Sequence, residues 1–215
     1  MTNDLQDRPY GGESLSERET CRKEKLLQAA LNIIGTRGVR AATVRALCGE
    51  AGLSPRYYYE AFESTEDLFV QLYQAQTARL ASAVLEAIRP AAGNIKLMAK
   101  AGLTAFFTEL EADPRLTRIL FIEYTTIAPR VNPVNQQSFD HFLDLILQLA
   151  KPFYEGRLPE NINDRILGMA VTGAVVQTAN AWFLSGFDHP VETLVENILF
   201  LLTSLFRELS IPLDE

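Results

Sequence analysis

Residues 43–62 read TVRALCGEAGLSPRYYYEAF, and this stretch decides the fold. Thr43 is a favoured helix N-cap, and Val44, Leu47, Cys48 and Ala51 then recur at helical spacing on one face of a short helix. Gly52 ends that helix, because glycine takes the left-handed backbone of a C-terminus at no steric cost. Leu53 follows, then Ser54-Pro55, an N-cap and a residue preferred at the first helical position, so another helix begins at once. Two short helices joined by a glycine-containing turn make a helix-turn-helix. In the second of them Tyr58 and Phe62 are four residues apart and share the inward stripe, which leaves Pro55, Arg56, Tyr57 and Tyr59 outside. An arginine can donate two hydrogen bonds to a guanine edge, and a tyrosine can reach phosphate or a thymine methyl. Thr43 and Arg45 stand where the sugar-phosphate backbone would pass. With Ser54 they complete a candidate set of DNA-contacting residues.

Charge supports the same reading. The chain carries −7 overall, but residues 18–59 hold eight bases (Arg18, Arg22, Lys23, Lys25, Arg37, Arg40, Arg45, Arg56) against Glu19, Glu24 and Glu50. That segment is net +5 and the remainder −12. A basic patch on an acidic body attracts phosphate at one end and repels it elsewhere, which orients the molecule.

Working outward, Leu26, Leu27, Ala30, Ile33 and Ile34 predict a helix over about Ser16–Thr36, with Gly38 just past its end. Ser64 opens a fourth helix that reaches Ile88 before Arg89-Pro90. Further helices are expected near Asn94–Glu111, Pro114–Thr125, Pro133–Tyr154, Asn163–Leu184 and Pro190–Leu209, each bounded by Pro, Gly or Asn. There is no strand-length alternation and no internal repeat. The expected fold is all-α with about nine helices: a mobile arm over 1–17, a three-helix DNA-binding domain over 18–64 and a larger helical domain over 65–215. The arm is either dispensable or a minor-groove contact.

Other classes find little support. His141 and His189 show no metal-ligand spacing with Cys21 or Cys48, and the two cysteines fit a reduced, cytoplasmic protein with no metal or cofactor. No phosphate-binding glycine loop, nucleophile elbow or dinucleotide turn is present, so catalysis is not expected. The N-terminus lacks the pattern of a secretory signal. Gly168–Phe183 and Ile198–Phe206 are interrupted by polar residues before reaching the roughly 20 apolar positions of a membrane span, and they read as buried helices.

The string Leu27, Ala30, Gly38, Thr43, Val44, Leu47, Ala51, Gly52, Leu53, Ser54, Tyr59, Phe62 and Leu68 resembles the N-terminal domain of the TetR family of bacterial regulators. Thr65 stands where that family usually carries a phosphate-contacting lysine. Arg56 stands where a small residue is frequent, so base reading would lean on it. The resemblance implies a homodimeric repressor that leaves a palindromic double-stranded operator when a small organic ligand binds. A ligand-independent regulator or an activator is the nearer alternative. A helical enzyme or a protein-interaction module is the further one.

The resemblance also implies that the later helices bind ligand and dimerise. The last helix is apolar around most of its circumference and the one before it is rich in Gly and Ala, which suits either a two-protomer bundle or an internal core. Val171, Val175, Leu194, Ile198, Leu202 and Leu205 are the expected dimer contacts. Phe107, Phe142 and Trp182 are the expected walls of an apolar ligand site, with Glu123, Tyr124, Gln177 and Asn180 as its polar groups. For Glu123 a salt bridge to an arginine is the competing expectation.

Overall fold

The computed structural model describes residues 15–123 and 131–213; the side chains of Leu15, of residues 131–139 and of His141 are outside that description. Most of the expected N-terminal arm, and Tyr124, therefore lie outside the described residues.

Nine α-helices are present among the described residues. They are α1 (Leu15–Arg37), α2 (Val44–Ala51), α3 (Pro55–Ala61), α4 (Thr65–Ile88), α5 (Ile95–Ala112), α6 (Pro114–Arg118), α7 (Val131–Tyr154), α8 (Asp164–Leu184) and α9 (Val191–Glu208). No strand occurs among them. The expected punctuation operates. Thr43 Oγ1 accepts from the Ala46 N–H at 3.2 Å, and Ser64 Oγ accepts from the Asp67 N–H at 3.0 Å. Gly52 adopts φ 65° and ψ 33°, and the Leu53 N–H then closes back onto the Cys48 carbonyl at 2.9 Å. That reversal turns α3 across α2.

Leu26, Ala30, Ile33, Leu47, Tyr58, Phe62, Leu68 and Phe69 bury together and fix α1, α2, α3 and the start of α4 as one unit. α4 is long enough to serve two regions. Its first turns close this small core, and Leu80, Val84 and Ile88 further along pack on α5. α9 lies against α5, while α8 touches α6, α7 and α9. The buried side chains form one continuous cluster.

After α6 the chain widens into a single π-helical turn, Ile119–Glu123. Such turns place a side chain where regular helix would not. Here the turn swings Glu123 onto α1.

α8 departs from the expectation that residues 168–183 are buried. Only Thr172, Ala179 and Trp182 are buried along it. By length and composition α8 is apolar enough to cross a membrane, which the sequence reading did not anticipate. Its apolar residues have two other places, a cavity on one side and an outer face on the other.

Candidate nucleic-acid interface and ligand cavity

Helix α3 projects at one end of the molecule. Thr43, Arg45, Ser54, Pro55, Arg56 and Tyr59 are all exposed around it, Tyr59 at 68%. Tyr58 and Phe62 are buried as the stripe requires, with their rings 5.7 Å apart. Two features qualify the reading face. Tyr57 is half-buried, because the Arg22 guanidinium of α1 lies over its ring at 4.4 Å. Arg56 Nε donates to Glu60 Oε1 at 2.7 Å, one turn along α3. Arg56, a base-reading candidate, is thus held in an ion pair. Sequence reasoning missed Arg22, whose only signal was its place in the basic cluster.

The junction between this unit and the rest is built from α6 and the turn after it. Glu123 is 4% exposed. Its Oε1 accepts from Arg118 Nε at 2.8 Å and its Oε2 from the Val39 backbone N–H at 2.9 Å. Gly38 has φ 83°, and a Cβ there would sit 3.2 Å from Glu123 Oε1. Only glycine combines that backbone with that approach. One turn earlier, Arg115 of α6 donates to Asn32 Oδ1 of α1 at 2.6 Å. A Cβ on Gly35 of α1 would fall 2.4 Å from the Arg115 Cβ, so α6 and α1 meet at nearly backbone contact. Burial pushes the Asp113 carboxyl up, but the hydrogen bonds and charge of Arg115 outweigh that and hold it below the usual carboxylate range.

Glu123 is therefore a correction. It does not line the cavity; it tethers the helix-turn-helix unit to the body, and its salt bridge to Arg118 is the competing expectation. Phe107 and Trp182 are corrections as well. They meet edge-on at 5.7 Å in the packed core, and the Trp182 indole N–H donates to the His189 carbonyl at 2.8 Å. Gln177 is exposed on the outer side of α8. The Asn180 Oδ1 is buried without a partner, but Asn180 does not line the cavity.

The cavity lies beyond that aromatic cluster, between α4, α5, α7, α8 and the end of α9. Its volume is about 240 Å³. Among the described residues Phe142 is the one sequence-predicted ligand residue that lines it, beside Val84, Met98 and Phe106, which sequence reasoning did not single out. Val171, Val175, Leu202 and Leu205 line it too, so these predicted dimer contacts face inward. Leu194 and Ile198 are buried in the protomer's own core. The error is one of helical phase: α8 is small and apolar all round, so its periodicity gives no orientation. The polar groups on the wall are Thr172, Tyr154 and Asp164, and the Tyr154 hydroxyl donates to Asp164 Oδ2 at 3.1 Å.

A different face is left open. Ile166, Met169 and Leu184 of α8 and Phe200 and Leu201 of α9 are exposed, Phe200 at 74%. Gly173 lies among them with open space where a Cβ would stand.

An all-helical body that exposes the outer face of a helix-turn-helix defines a class of DNA-binding regulator, and this one carries an apolar cavity in its larger domain. Residues 26–72 match the family model described as bacterial regulatory proteins, tetR family. Over 191 residues the chain is 30% identical to the HTH-type transcriptional activator FasR of Mycolicibacterium smegmatis, covering 86% of this chain and 83% of that protein. The chain belongs to the TetR family and is a transcriptional regulator, not an enzyme. Its fold resembles the fatty acid degradation regulator FadR of Bacillus halodurans, with TM-score 0.75, 19% identity and coverage of 84% and 94% of the two chains. It also resembles FadR of Bacillus subtilis, solved in complex with stearoyl-CoA, with TM-score 0.72, 19% identity and coverage of 83% and 96%.

Proposed function

We propose that this regulator is a homodimer whose grip on a two-half-site operator is set by an apolar small molecule, a fatty acyl chain first of all, held in the cavity. The observation that carries the proposal is the cavity itself. A void of about 240 Å³ with almost wholly apolar walls stabilises nothing by being empty; an engineered apolar cavity of about 150 Å³ stays dry and takes up benzene. The stearoyl-CoA held by the Bacillus subtilis relative points to the same ligand chemistry.

Residues 18–64 serve as the reading head and residues 65–215 as the control and assembly domain. Arg56, Tyr57 and Tyr59 enter the major groove, and Thr43, Arg45, Ser54 and Pro55 flank the phosphates. The exposed stripe from Ile166 to Leu184, with Phe200 and Leu201, covers itself against the same stripe of a second copy, since a two-fold interface uses one patch twice. Two heads on a two-fold axis read a palindrome with half-sites about 34–36 Å apart. The protein works in the cytoplasm, where its operator is.

Ligand changes DNA binding only if it fits one arrangement of the heads better than the other. The contacts of α6 on α1 and of Glu123 on Val39 are the links through which cavity shape reaches the heads. Ligand-driven release makes the protein a repressor. The reverse, in which ligand holds the heads in register, is favoured by the activator FasR among its relatives. Both are read in one experiment: operator affinity measured with and without acyl compounds. A change in affinity that saturates with ligand supports the proposal, and its direction selects between the two.

A further inference from the structure

The polar groups on the cavity wall say which end chemistry the ligand carries. Thr172 is 7% exposed and faces the cavity, and its hydroxyl makes no hydrogen bond among the described residues. Helical threonines commonly bond back to the carbonyl one turn earlier. Thr178 on the same helix does so, to Ala174 at 2.8 Å. Opening onto the cavity, the Thr172 hydroxyl can give a hydrogen bond to a guest or take one.

Asp164 also stands on the wall, at the first turn of α8. One of its carboxylate oxygens takes the Tyr154 hydroxyl and the other accepts from the Arg165 backbone N–H at 2.7 Å. The neighbouring cation is occupied elsewhere. The Arg165 guanidinium reaches across to Asp140 at 2.8 Å and also to Asp144, both on α7. Lys151 lies 3.7 Å from Glu155. No Lys, Arg or His lines the cavity among the described residues. The wall thus offers a carboxylate, a tyrosine that burial and Asp164 keep protonated, and an unpaired hydroxyl, with no cation.

We infer that the cavity selects a neutral chain bearing a hydrogen-bond donor, a hydroxyl or an amide N–H, that meets the Asp164–Tyr154 pair, and that it discriminates against a free carboxylate there. This rests on the reading of the cavity as the ligand site. A carboxylate seated beside Asp164 meets like charge and no cation, whereas a hydroxyl gives Asp164 a proton to accept.

The test uses the full chain, with 1-decanol and decanoate as probes at pH 8, binding measured by calorimetry and by fluorescence of Trp182. An alcohol enters any apolar cavity more readily than a carboxylate, so the diagnostic is the change in their ratio. Asp164→Asn, with a thermal melt to confirm folding, should shrink the decanol-to-decanoate preference by about tenfold, through tighter decanoate binding. Thr172→Val, about 12 Å further along α8, should leave that preference unchanged. An unchanged ratio in Asp164→Asn, or decanoate preferred by the wild type, overturns the inference alone. Failure of both probes to bind the wild type overturns it together with the ligand-site reading beneath it.

Discussion

At the residue scale, the outer face of α3 was legible because Tyr58 and Phe62 mark the inward stripe and leave Arg56 and Tyr59 outside. Nothing in a small helical core asks for Arg56, Tyr57 and Tyr59 on an outer face. Arg56→Ala should cost about 1–3 kcal/mol of operator binding and relax specificity at one base position, as selected-site binding would show. Loss of affinity without relaxed specificity would reassign Arg56 to phosphate. Glu60→Gln frees the guanidinium and should tighten binding, whereas Arg45→Ala should weaken it evenly across sequences and lower the salt slope by about one unit. What the sequence hid at this scale is pairing at a distance. Arg22 lies 35 positions from Tyr57, and only the packing of α1 on α3 brings guanidinium over ring.

At the scale of elements, helix limits came through because caps and breakers are local. The contact of α6 with α1 did not, since it joins segments more than eighty residues apart. Glu123→Ala leaves the half-buried Val39 N–H and the Arg118 guanidinium without their acceptor and should cost about 1–3 kcal/mol in a denaturant melt. Glu123→Gln keeps an acceptor and should recover part of that. If the account of this junction holds, both variants also narrow the gap in operator affinity between free and ligand-bound protein. Asp113 supplies a pH test. Its carboxyl is depressed in the folded state, so the stability it contributes is present above the unfolded pKa, about 3.9, and is lost as pH falls through the lower native value. Asp113→Asn should therefore be less stable than wild type near pH 7, and the difference should vanish in strong acid. A difference that persists there would point to packing instead of charge.

For the whole molecule, the apolar content of α8 and α9 was legible in the sequence, but which of their faces line the cavity and which stay exposed was not. Periodicity orients a helix only when one side is polar. On α8 Val171 and Val175 look inward and Met169 and Leu184 outward, with small residues between, and no polar stripe marks the difference. Assembly separates the two assignments. Leu201→Arg, on the exposed face, should yield a folded monomer by sedimentation with weakened operator binding. Leu202→Arg, next in sequence but buried and on the cavity wall, should unfold the chain, because an unpaired buried charge is costly. A folded dimer in Leu201→Arg would remove this face from the interface.

The most direct test of the central claim fills the cavity and asks whether control is lost. Val171→Phe places a ring into the void from α8, away from both the DNA-reading residues and the exposed face. Operator affinity is measured for wild type and variant at one salt concentration, across a titration of an acyl compound that shifts the wild type. The account predicts that the variant binds operator, stays dimeric, and no longer responds. A variant that responds at the wild-type concentration of ligand would contradict it and place the controlling site elsewhere.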